Sequence, residues 1–302
     1  MSKPRSAPRR VVSGVLLLDK PAGMTSNDAL QKARRLYNAA KAGHTGTLDP
    51  LATGLLPLCF GEATKFAGEL LDADKTYRAT VRLGVTTDTA DAEGRVLETR
   101  PVDAAPEQLE QVLARFRGEI EQVPPMYSAL KRDGRPLYEY ARAGIELERS
   151  ARRVTIHALT ASGWNGDCFD LEVACSKGTY VRTLAADIGA ALGCGAHLAA
   201  LRRTRIGGLD VAAAVGLDAL ADLDMTARDA RLYPADALVA AWPRADLTAA
   251  DADRILHGQG IRWSGQIGER YRYYGPNGSF IGVGVVSADG WLNPKRLVAG
   301  GG

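Results

Sequence analysis

Residues 43–54 read Gly43-His-Thr-Gly-Thr-Leu-Asp-Pro-Leu-Ala-Thr-Gly54, three glycines and one proline in twelve residues. The stretch is too broken for a regular element, yet it carries almost none of the charge of an ordinary solvated loop. It reads as a built loop. Asp49 is its only acid and the sole one between Asp28 and Glu62. Pro50 keeps the residue before it out of the helical region, so a constrained backbone presents the Asp49 side chain. A lone Asp-Pro also serves in Asx turns and helix caps; in this loop the geometry suits a nucleophile or a base.

Upstream, the apolar strand Gly14-Val-Leu-Leu-Leu18 ends in the turn chemistry Asp-Lys-Pro-Ala-Gly. Thr25 or Ser26 then caps a helix in which Leu30, Ala33, Leu36 or Tyr37, and Ala40 recur at helical spacing, with Gly43 as its end. Downstream, the pattern predicts a buried strand over 55–59, a helix over about 62–71 and an alternating strand through Tyr77, Ala79, Val81 and Leu83. Pro106 opens a further helix with Leu109, Val112, Leu113 and Phe116 on one face, and a short helix over 136–142 follows the basic turn at 131–135. Strands near 154–162, 169–175 and 197–205, with a helix to about Leu192 between the last two, complete the pattern. Strands often succeed one another directly. The fold class is therefore α+β, a mixed, largely antiparallel sheet flanked by helices.

After about residue 208 the chain turns Ala- and Asp-rich and helical, and from Leu247 a short helix to about His257 precedes glycine-punctuated alternating runs such as 281–287. That is a small β-rich appended domain. The expected organisation is a basic flexible tail over 1–10, a main domain over 11–245 and the β-rich domain over 246–302.

At 302 residues, with 46% hydrophobic and 24% charged residues, the chain has room for two cores and no sign of disorder or coiled coil. The longest stretch free of Asp, Glu, Lys and Arg, 273–288, is broken by glycine, proline and asparagine, so no membrane span is expected. The apolar run 11–18 meets Asp19, Lys20 and Pro21 instead of a cleavage site, which points to a cytoplasmic protein. Four cysteines without CxxC spacing and four scattered histidines suggest neither disulfides nor a metal, and the cysteines read as small buried hydrophobes. GxxxxGK[ST], GxGxxG, GxSxG and HExxH are all missing, so any catalyst works with carboxylates, arginines and tyrosines. The net charge of +3 is uneven: residues 127–205 hold twelve Lys/Arg against eight Asp/Glu. The groups Lys131/Arg132/Arg135, Arg149/Arg152/Arg153 and Arg202/Arg203/Arg205 suit either a phosphate-contacting surface or a solvated face.

The loop 43–54, with Gly14-Val-Leu-Leu-Leu-Asp-Lys-Pro21 before it and Lys75-Thr-Tyr77 after it, closely resembles the TruB family of tRNA pseudouridine synthases. Gln122-Val-Pro-Pro-Met-Tyr-Ser-Ala-Leu-Lys131 and Gly178-Thr-Tyr-Val-Arg182 resemble its later motifs, over about residues 12–208. The resemblance implies a pseudouridine-synthase fold with a PUA-like C-terminal module, and isomerisation of uridine at position 55 in the T-loop of tRNA. It places the catalytic aspartate at Asp49, its arginine partner at Arg182 and the tyrosine packed on the target base at Tyr77. Tyr180 and Leu201 then line the pocket, and His44 helps disrupt the T-loop. Isomerisation needs no redox change or group transfer, so no cofactor is expected. Nor is an obligate protein partner: the chain should act on tRNA as a monomer. Lys20 reads as a brace for the loop. The alternatives are a guide-RNA-dependent pseudouridine synthase subunit and an RNA-binding folding helper whose catalysis is secondary.

Overall fold

The apolar run that opens the chain becomes a strand buried on both faces, β1 (Gly14–Lys20), in the computed structural model, which describes residues 8–128 and 130–298. Most of the expected tail, residues 1–7, and the last four residues lie outside that range. Arg10, the end of the tail, is tied down, its guanidinium paired with Asp229 and its N–H bonded to Asn38 O. Thr25, not Ser26, caps α1 (Ser26–Leu36), accepting the Asp28 N–H at 3.1 Å. That helix stops well before Gly43, because Asn38 takes the left-handed conformation (φ 48°) that ends helices. Ala40 is outside it. The released chain pairs as β2 (Ala42–His44) with β3 (Thr53–Phe60), so the ends of the stretch expected to be irregular are strand and only 45–52 is loop. The helix expected over 62–71 is split by Phe66 into a 3₁₀ turn, Gly61–Lys65, and α2 (Ala67–Leu71).

The alternating strand is β4 (Lys75–Leu83), followed by the ribbon β5 (Val85–Thr87) and β6 (Val96–Thr99). Pro106 heads α3 (Pro106–Phe116), whose free Ala105 N–H is satisfied by Gln108 Oε1. Next come β7 (Gly118–Gln122), the small hairpin β8 (Lys131–Arg132) and β9 (Arg135–Pro136), and α4 (Leu137–Arg142). After them run β10 (Arg152–Ser162), β11 (Cys168–Cys175), α5 (Val181–Ala191), β12 (Ala196–Ile206) and β13 (Leu209–Asp210). β14 (Val215–Gly216), α6 (Leu217–Asp222) and α7 (Met225–Asp229) close this part.

The main sheet runs β14-β1-β3-β12-β4-β11-β10-β7. Within that order only β14/β1 and β3/β12 are parallel, so the sheet is mixed and largely antiparallel, as the sequence predicts. One core lies under α1, α3 and α5. A second, on the opposite face of β1 and β3, includes Phe66 and Leu70. A five-stranded sheet follows, β15 (Arg244–Asp246), β16 (Ile261–Arg262), β17 (Arg270–Tyr274), β18 (Phe280–Val286) and β19 (Trp291–Leu297), with α8 (Ala249–Leu256) packed on it. It takes in Arg244, two residues before the expected boundary. Phe280 packs on Phe66 at 5.2 Å, and Glu69 pairs with Arg270 and Lys295 across the junction.

Candidate active site

The loop 45–52 hangs between β2 and β3, where β3 runs parallel to β12. Gly54 makes that pairing possible: its φ is +99°, and a Cβ there would stand 2.3 Å from Arg203 O. The loop is clamped on both sides of Asp49. Ser26 Oγ accepts the Leu48 N–H at 2.8 Å and donates to Leu48 O at 3.1 Å. On the other side, Pro50 O accepts the Gly23 N–H at 2.9 Å and Lys20 Nζ at 3.3 Å. The fully buried Lys20 also donates to Pro21 O and Met24 O, so it does brace the loop. Burial pulls its pKa down to about 8, against the pull of Asp49 and Glu93.

Arg182, near the start of α5 with a side chain 4% exposed, is the hub. Its Nε lies 3.0 Å from Asp49 Oδ2, but the N–H does not point along that line, so the contact is an ion pair without a directed hydrogen bond. Nη1 donates to Thr89 O at 3.1 Å and faces Asp91 Oδ2 at 3.5 Å; Nη2 donates to Tyr127 O at 2.6 Å. Asp91 is itself fixed, accepting Thr89 Oγ1 at 2.6 Å and the Glu93 N–H at 3.1 Å. One buried cation thus serves two carboxylates. Burial raises the pKa of Asp49 above the ordinary carboxylate value; Arg182 draws it back, Asp91 pushes it up again and Lys20 lowers it.

Asp49, Tyr77, Ser128, Tyr180, Arg182 and Leu201 line one cavity of about 160 Å³. Five of the six predicted site residues therefore meet there. Tyr77 lies on β4 directly opposite Arg203 of β12, whose guanidinium partly offsets the rise in the tyrosine's pKa that burial causes. Tyr180 stacks under Arg152, 4.9 Å from its ring centre, and its N–H donates to Gln122 Oε1. The sixth, His44, is not among the lining residues. It sits on β2 opposite Leu58 with its Nδ1 buried and unpartnered among the described residues, and burial, with Arg203, lowers its pKa, which favours the neutral ring.

Asp91 and Ser128 were not singled out from the sequence, and Ser26 was named only as an alternative cap for α1, not as a clamp on the loop. Arg203 was singled out, but as part of a surface cluster, and the structure corrects that. It is 2% exposed, with Nε donating to Leu55 O, while Arg202 is spent on Asp19 and Arg205 on Asp210. Arg135 is likewise paired with Glu139. Among the described residues Lys131, Arg132 and Arg153 remain exposed without a carboxylate partner. Of the cysteines expected to be buried, Cys59, Cys175 and Cys194 are, while Cys168 is half-buried at the start of β11. Burial pushes the thiols of Cys59 and Cys175 up to about 12 and about 11, so neither is a nucleophile at neutral pH.

A larger groove of about 770 Å³ crosses the open face of β4 and β11, but its charged groups already have partners: Arg78 pairs with Glu172 and Arg202 with Asp19, and Asp170 accepts the Thr80 hydroxyl. The smaller cavity holds the shifted carboxyl and its cation, which is where chemistry is expected. Tyr77 and Leu201 offer flat and apolar surface to a ring, and Asp49 offers a carboxylate to whatever is bonded to that ring. No helix among the described residues is long and apolar enough to cross a membrane.

Residues 34–181 match the TruB family pseudouridylate synthase N-terminal domain, 182–240 the tRNA pseudouridylate synthase B C-terminal domain, and 243–298 the C-terminal region described as pseudouridine synthase II TruB. The tRNA pseudouridine synthase B of Azoarcus sp. (strain BH72) is 62% identical over 295 residues, 98% of each chain. That of Chromobacterium violaceum is 58% identical over 302 residues, 99% of this chain and 98% of the other. Among solved structures, a chain of a Cbf5-Nop10-Gar1 complex superposes with a TM-score of 0.75 at 24% identity, covering 94% of this chain and 84% of that one. At that identity the likeness speaks for the fold alone.

Proposed function

Because the chain belongs to the TruB family of pseudouridylate synthases, we propose that it isomerises uridine to pseudouridine in tRNA, at position 55 of the T-loop, with Asp49 as its catalytic group. It is an isomerase. The observation that carries the assignment of Asp49 is its place in the small cavity, with its carboxyl held 3.0 Å from a buried guanidinium.

The reaction breaks the bond between N1 of uracil and C1′ of the ribose, turns the base and joins its C5 to the same carbon. The C5 proton is lost and N1 gains one, so atoms and charge balance. A carboxylate can add to the sugar, add to the base, or remove a proton from the sugar; each route requires it ionised. Partial burial in the cavity favours the protonated carboxyl, and Arg182 opposes that. The target cannot react while stacked in RNA. Drawing it out costs a few kcal/mol, and stacking on an aromatic face returns roughly 1 to 3 kcal/mol, the part assigned to Tyr77. Leu201 and Tyr180 shape the rest of the pocket. His44, outside it, is assigned to the space the base leaves in the T-loop.

Of the three basic groups, Lys131, Arg132 and Arg153 are exposed and free of a carboxylate partner among the described residues, so they are available to meet tRNA phosphates, and the C-terminal β-rich domain adds RNA contact as a PUA-like module. The chain acts in the cytoplasm as a monomer on this reading. The test is release of label from C5 of uridine in unmodified tRNA, without any guide RNA. Wild type should release it, and Asp49→Asn should be slower by about a thousandfold or more. No release by wild type, or undiminished release by the variant, would overturn the assignment.

A further inference from the structure

Ser128 belongs to no pairing described so far, yet it lines the same cavity as Asp49. Its residue is 4% exposed, and its Oγ is buried without a hydrogen-bond partner among the described residues. A buried hydroxyl in that state is costly unless something else completes it. Its position is enforced. Ser128 N–H donates to Met126 O, Ser128 O accepts the Tyr138 N–H, and the neighbouring Tyr127 O accepts Arg182 Nη2 at 2.6 Å. The guanidinium that holds Asp49 therefore also holds the turn that presents Ser128.

Depth in the cavity says which part of a nucleotide Ser128 meets. The Asp49 side chain is 38% exposed and Thr47 lies at the surface, so they mark the mouth, where a sugar still joined to RNA must remain. Ser128, 4% exposed, is far more sheltered than these two, and the base is the part of the nucleotide that can leave the RNA to reach it. Of the other lining groups, Thr179 Oγ1 is already spent on Ser176 O, and Tyr77 and Leu201 offer mainly face and apolar surface. Uracil brings two carbonyls and an N–H that lose water on entry. We infer that the Ser128 hydroxyl is a hydrogen-bonding contact for the polar edge of the everted uracil, a specificity-determining residue of this site. The inference rests on the proposed reaction. A hydroxyl suits a base that detaches and turns, because it donates or accepts as it rotates.

The test compares wild type and Ser128→Ala for two tRNAs, one with uridine at the target position and one with an abasic ribose there. Affinity for the uridine tRNA is measured in the Asp49→Asn background, and single-turnover C5 release in the active one. Ser128→Ala should weaken uridine-tRNA binding and slow release, each by roughly tenfold, while binding the abasic tRNA like its parent. Ser128→Cys, close in size but a weak donor, should fall between. Equal weakening on both RNAs would mean that Ser128 only supports the fold, and unchanged binding and release would mean that it touches nothing; either result overturns the inference. Failure of wild type itself to release label would instead remove the proposed reaction.

Discussion

Asp49 is pulled in two directions: burial and Asp91 favour its protonated form, Arg182 and Lys20 its ionised one. With Asp49 as the proposed catalytic group, the net rise predicts an acid limb of the rate above the usual carboxylate range, with activity lost as pH falls through that raised value. Asp91→Asn removes a negative charge that raises the Asp49 pKa, so the acid limb should move to lower pH. The same change loosens Arg182 and should lower the plateau rate by roughly tenfold. Single-turnover rates across pH 4–8 check both; an acid limb moved to higher pH would mean that Asp91 does not act on Asp49 as described. Asp49, Arg182, Tyr77 and Tyr180 are marked in the sequence by the motifs they lie in, and Leu201 only by the family resemblance. Asp91 is unmarked, for a physical reason. It is one of three acids in Asp88-Thr-Ala-Asp-Ala-Glu-Gly94, alike on paper, and only the folded turn, with Ala90 at φ 58°, aims one inward.

The elements around the loop explain why it holds its shape. α1 contributes a buried serine at its first turn, β1 a buried lysine at its end, and β3 departs from the loop at a glycine that lets β12 approach. Gly54→Ala would force a Cβ against Arg203 O in a backbone conformation that L residues rarely adopt. It should cost about 3 kcal/mol, measured by chemical denaturation, and displace Arg203 from Tyr77. A loss below about 0.5 kcal/mol would show that the two strands separate freely there. Periodicity predicted most strands and the faces of α1 and α3. It missed the early end of α1, since Asn38 carries no periodic signal, and it read Arg203 as surface because three nearby arginines look alike. Ser26 was weighed as a cap because Thr25 and Ser26 are equally good caps in sequence. Which one turns inward is decided by the loop it meets.

The two sheets are joined by specific contacts, not by a bare linker. Phe66 packs on Phe280, Lys65 donates to Leu297 O, and Glu69, its side chain 12% exposed, faces both Arg270 and Lys295. These contacts come from the segment that leads into β4 and so to Tyr77, which couples the placement of the smaller sheet to one wall of the cavity. The order of elements and the β-rich end were legible in the sequence, whereas this docking was not, because Glu69 and its two cations lie some two hundred residues apart. Everything proposed depends on a uridine leaving folded RNA and meeting the carboxyl of residue 49. A crystal structure of the protein with a T-arm RNA bearing 5-fluorouridine at the target position addresses that directly. The nucleotide should lie outside its stack, in the 160 Å³ cavity, with its base on Tyr77 and Asp49 in contact with it. A target nucleotide still stacked in the RNA, or seated in the larger groove on the open face of β4 and β11 away from Asp49, would contradict the mechanism.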